Sequence, residues 1–124
     1  MLRYLISAVL CLSLTSCFSG QACTTIFAFI TVDLEDAAGN PVTTADIKVQ
    51  LVRTGEMLES PQDFISLGTY IVLTDNQIDK ISREKDTLEV TLTRGASSTE
   101  ASFEVNKDAC HIQKLSGPEK LILN

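Results

Sequence analysis

One histidine, His111, and four cysteines, Cys11, Cys17, Cys23 and Cys110, are the side chains of this 124-residue sequence best suited to catalysis or metal binding. A Ser-His-Asp relay would have to use His111 as its base, and no Gly-x-Ser-x-Gly elbow is present to expose a serine. A zinc site needs three or four ligands. Cys110 adjoins His111, but on a strand alternation sends two neighbours to opposite faces. His111 therefore reads as a surface histidine, and no metal is expected. Sixteen Asp and Glu residues make close carboxylate pairs such as Glu56 with Glu59 unavoidable, and a glycosidase pair also needs a cleft. Asp75, Asn76 and Asp79 have calcium-ligand types without the alternating loop pattern and its glycine. Asp75 reads as a helix cap and Asp79 as solvated. The six glycines stand singly at turns, which leaves no phosphate-cradling loop. Nothing here reads as an enzyme or as the site of a cofactor.

The cysteines carry chemistry of another kind. Arg3 precedes an uncharged apolar run, Leu5 to Leu14, which as a helix would rise only about 15 Å, half of a bilayer core. That suits a cleaved export signal better than a permanent span. The run ends in Leu14-Thr15-Ser16-Cys17, which resembles the bacterial lipobox. The resemblance implies cleavage between Ser16 and Cys17, diacylation of the Cys17 thiol and acylation of the freed amine. Cys11 lies inside the apolar run after bulky Leu10, and Cys23 has no aliphatic residue three before it. Two or more acyl chains make a stable membrane anchor. The expected organisation is a leader at 1–16, a lipidated tether at 17–22 and one domain at 23–124.

With Cys11 lost and Cys17 acylated, Cys23 and Cys110 remain. An oxidising compartment would pair them in a disulfide, the alternative being two free buried thiols. Losing Arg3 with the leader takes the formal charge of −6 one unit further negative. The scattered basic residues exclude nucleic acid as a partner, because phosphate binding needs clustered Lys and Arg.

Alternation organises the rest. Ile26, Ala28, Ile30, Val32 and Leu34 share one face of a first strand, with Thr25, Thr31, Asp33 and Glu35 on the other. A turn at Asp36–Pro41 leads to a second strand with Ile47, Val49 and Leu51 on one face. Gly55–Ser66 is irregular, with Met57, Leu58, Phe64 and Ile65 able to pack down. Tyr70–Thr74 is a strand, and a capped short helix after Asp75 would press Ile78 and Ile81 on the sheet. Leu88, Val90 and Leu92, then Ala101, Phe103 and Val105, mark two more strands around a Gly95-Ala96-Ser97 turn. Cys110–Leu115 and Leu121–Leu123 complete the set. The expected fold is all-β, an antiparallel β-sandwich of seven to eight strands with one short helix.

The run Asp36-Ala37-Ala38-Gly39-Asn40-Pro41-Val42, followed by Ala45-Asp46-Ile47-Lys48-Val49, resembles the opening of a carboxypeptidase regulatory-like domain. Gly68-Thr69-Tyr70 resembles that family's later Gly-x-Tyr. The likeness spans roughly Thr25 to Val105. It departs at Thr44-Ala45, where the family has Gly-Ala, and in lacking a second Gly-Tyr element. It implies a transthyretin-like sandwich serving as a non-catalytic folding, spacing or binding module, and no catalytic residue carries over.

Phe27 and Phe29 interrupt the polar face of the first strand. Either the Gly55–Ser66 segment covers them, or they form an exposed pair that docks a partner protein of the cell envelope. A small-ligand or glycan-binding module is the second reading, to be marked by exposed loops bearing Tyr70. A minor hydrolase is the third, to be marked by a cleft holding His111 and two carboxylates. Phe18 stands where an aspartate would resemble an inner-membrane retention signal, which favours the outer membrane.

Overall fold

A computed structural model describes residues 23–59, 61–62 and 66–124. The leader, the tether with Cys17, and Phe64 and Ile65 lie outside the described residues. Eight strands form two packed sheets: β1 (Phe29–Asp36), β2 (Asp46–Leu51), β3 (Glu56–Leu58), β4 (Thr69–Thr74), β5 (Asp86–Arg94), β6 (Ser97–Lys107), β7 (Ile112–Ser116) and β8 (Lys120–Leu123). The small sheet has the order β4-β1-β8 and the large one β3-β2-β5-β6-β7. Among the described residues no helix is long and apolar enough to cross a membrane.

Period-two patterning builds the core as expected. Val32 and Leu34 of β1, Val49 and Leu51 of β2, Leu88, Val90 and Leu92 of β5, and Phe103 and Val105 of β6 all face inward and are buried. Their alternates on the large sheet, such as Lys48, Gln50, Glu89 and Thr91, face water or the sheet margin. Ile26 departs from the expectation. It is 74% exposed, because pairing of β1 begins only at Phe29 and residues 26–28 run without a sheet partner.

The pairing is antiparallel except between β1 and β8, which run parallel with Leu34 beside Leu121 and Asp36 beside Leu123. The chain leaves β7 in one sheet and enters β8 in the other through Gly117 and Pro118. Gly117 sits at φ 138°, and a Cβ there would lie 2.4 Å from Cδ1 of buried Phe103. The crossing presses directly on that ring.

Loops are held by side chains. The Asp36 carboxylate accepts the N–H groups of Ala38 and Asn40, both at 2.9 Å, closing the turn after β1. The buried Tyr70 hydroxyl donates to the Val42 carbonyl at 2.7 Å and accepts the Ala45 N–H at 3.0 Å, fixing the entry to β2. On the open side of β4 the Gln62 amide accepts the N–H of Ile71 and donates to its carbonyl, at 3.1 and 3.0 Å. The Thr69 N–H goes to Ser66 and that of Thr74 to the Gln77 amide.

A 3-10 helix follows at Asp75–Lys80, and Ile81 beyond it is fully buried, with Ile78 packed against the core. Its cap is Thr74, in a capping box with Gln77, rather than Asp75 as the sequence suggested. At the far end Arg53 holds the buried Asp86 through Nε and a second nitrogen, at 2.8 and 3.0 Å. That guanidinium, with the Ser82 N–H, keeps the Asp86 carboxyl below the usual range against the opposing effect of burial.

Candidate functional site

Asp75, released from capping duty, is the hub of one end of the sandwich. Its Oδ2 accepts the Ala28 N–H at 2.8 Å and lies 2.6 Å from His111 Nδ1, while its Oδ1 accepts the Ile112 N–H at 2.9 Å. The Asp75 N–H in turn donates to the Ala28 carbonyl. Burial pushes the Asp75 carboxyl up, but the two backbone N–H groups and the His111 ring outweigh it and hold it below its usual value of 3.8. An ionised Asp75 can only accept, so His111 Nδ1 carries the proton between them.

The other ring nitrogen, Nε2, lies 2.9 Å from Thr24 Oγ1. His111 is thus half-buried and engaged on both sides, not a free surface histidine. The alternation argument fails because Cys110 and His111 precede the strand, which starts at Ile112. The Asp108 carboxylate accepts the N–H groups of both Cys110 and His111 at 2.7 Å and bends the chain there. Next door Cys23 and Cys110 form the expected disulfide, with Cα atoms 5.2 Å apart.

Thr24, His111 and Asp75 stand in the order of nucleophile, base and orienting acid. Acyl transfer also needs donors aimed at a developing oxyanion. The backbone N–H groups of Ala28, Cys110, His111 and Ile112 are donated to Asp75 or Asp108 and so do not face Thr24 as such donors. The geometry works as a latch. It fastens residues 23–28 to the helix start and to the entry of β7.

Removing Asp75 orphans three donors at once, so Asp75→Ala should lower unfolding free energy by about 2–3 kcal/mol. Because the folded-state value of Asp75 is depressed, its contribution is complete above pH 3.8 and is lost as pH falls through the lower folded value. The gap in urea midpoint between parent and Asp75→Asn should therefore be full at pH 7, start to narrow below about pH 4, and close only as pH falls through the lower folded value, where both carry a neutral side chain. A gap unchanged from pH 7 to pH 3 would contradict the latch.

Beside the latch, Phe27 and Phe29 are 41% and 50% exposed, and their rings meet edge to face with centroids 5.1 Å apart. They form an apolar pair on the segment that follows Cys23, where Ile26 is also 74% exposed. Tyr70, by contrast, is buried under the β2 entry loop, and it lines a cavity of about 170 Å³ with Thr43, Ala45, Gln62 and Leu67. A groove of about 520 Å³ lies beside β2 and β3, lined by Ile47, Val49, Leu58, Glu59 and Pro61. Among the described residues no three or more His, Cys, Asp or Glu side chains come together as a metal site.

Thr24 and the Asp75–His111 pairing were not anticipated from the sequence. The one available signal was Asp108-Ala109-Cys110-His111, in which an aspartate two and three residues before the bent amides marks an Asx-type turn. Comparison of the chain with protein-family models, with curated proteins and with solved structures returned no match.

Proposed function

We propose that this chain is a non-catalytic, lipid-anchored module of the bacterial cell envelope, acylated at Cys17 and displaying a small β-sandwich outside the cytoplasm. The finer assignment within this reading is a transthyretin-like, carboxypeptidase regulatory-like domain with a structural or accessory role. The Cys23–Cys110 bridge is the observation that carries the proposal. A long-range disulfide belongs to an oxidising compartment, and this one takes up both cysteines that follow Cys17. The latch adds to it, since the described fold is fastened down from Thr24 onward. The aromatic patch at that same end is the surface through which the module works. Phe18 after Cys17 favours the outer membrane.

Intact-mass analysis of the protein from bacterial membranes tests this. The expected species starts at Cys17 and carries acyl chains, and Cys17→Ser leaves an unprocessed precursor. A chain that begins at Met1, or at Cys17 without fatty acid, overturns the reading.

A further inference from the structure

We propose that Ile26, Phe27 and Phe29 seat the domain on the bilayer surface, so that the sandwich stands on its membrane in a defined orientation instead of swinging on its tether. This rests on the lipid-anchored reading above. Distance is the first argument. Only residues 18–22 separate Cys17 from Cys23, and six Cα steps of at most about 3.6 Å reach roughly 20 Å. A Cys17 held in the headgroup layer thus keeps Cys23 within about 20 Å of the lipid. The end of the sandwich that carries Cys23 is the end that faces the membrane.

Rigidity is the second argument. The patch does not sit on a loose leader. Cys23 is bonded to Cys110, Thr24 is held by His111, and Ala28 exchanges two hydrogen bonds with Asp75. Phe29 is already paired in the sheet with Thr74. The segment is therefore held at both ends, and Ile26, Phe27 and Phe29 on it are 74%, 41% and 50% exposed. A bilayer interface takes up such residues to a depth of about 5–10 Å.

Charge is the third. The chain is acidic overall, so attraction to anionic headgroups is not what brings it down. Proximity comes from the acyl chains and orientation from the patch. Seating should accordingly be indifferent to salt and to the anionic lipid fraction, unlike a polybasic contact.

The sequence contains no tryptophan, so Phe29→Trp and, separately, Phe27→Trp each introduce a sole indole. Residues 17–124, which include the whole described core, are coupled through the Cys17 thiol to a maleimide lipid in phosphatidylcholine vesicles, with the disulfide intact. Anchoring by hand makes the result independent of natural acylation, which the mass analysis reads separately. The expected result is an emission shift of roughly 10 nm to the blue on coupling, and quenching by about half with brominated lipid, as for an interfacial indole. Emission unchanged by coupling, with no quenching in either variant, overturns the proposal. So does a blue shift that brominated lipid fails to quench, which would mean the patch is covered by protein.

Discussion

Opening the Cys23–Cys110 bridge is expected to cost this domain about 4–5 kcal/mol of unfolding free energy, on the loop-closure account. The bridge spans 87 residues, so the unfolded chain gains much conformational freedom when it is cut. A domain of this size holds only about 5–15 kcal/mol in total, and the loss takes up a large share of it. Part of the effect is local. Without the bridge, residues 23–28 depend on the Asp75 latch, whose bonds to Ala28 and His111 survive reduction. Urea unfolding of oxidised protein, of reduced protein and of the Cys23→Ser/Cys110→Ser pair checks the prediction. A midpoint moved by less than about 1 kcal/mol equivalent would show that the unfolded ensemble is already restrained.

The second large effect lies where the chain crosses between sheets. Phe103→Ala empties a fully buried aromatic site and should cost about 3–5 kcal/mol. Gly117→Ala attacks the same contact from the other side. Its Cβ would sit 2.4 Å from Cδ1 and 2.9 Å from Cε1 and Cγ of Phe103. That ring is enclosed by core and cannot swing away as the tip of a long side chain would. The φ of 138° adds backbone strain that glycine alone avoids. Together these should cost about 2–4 kcal/mol. Phe103→Leu shortens the ring side, so a cycle of Gly117→Ala with Phe103→Leu should show favourable coupling of about 1 kcal/mol or more. Strict additivity would place the cost in the backbone alone.

The residues show why some of this was readable and some was not. Alternation marked Val32, Leu34, Val49, Leu51, Leu88, Val90, Phe103 and Val105 as core, because a sheet with one wet face imposes that pattern directly. It overreached at Ile26, where apolar residues alternate but no strand lies beside them. The division into three and five strands, and the parallel seating of β8 on β1, depend on which edges meet. Short runs such as Leu121-Ile122-Leu123 carry no record of their partner. Asp75 was recognised as a helix-start residue, but the neighbouring Thr74 met that need, leaving the carboxylate for Ala28, His111 and Ile112. Partners so distant in the chain leave no local spacing to detect. Composition lets Phe27 and Phe29 be either covered or exposed, and only the packed fold shows them exposed.

The amides that close the outer side of β4 bear on how copies of this molecule treat one another. A bare border strand invites a neighbour to extend the sheet, and repetition of that step leads to fibres. Here the outward N–H groups of Thr69, Ile71 and Thr74 already belong to Ser66, Gln62 and Gln77. Crowded molecules meeting along this border find its donors already taken and no template to copy.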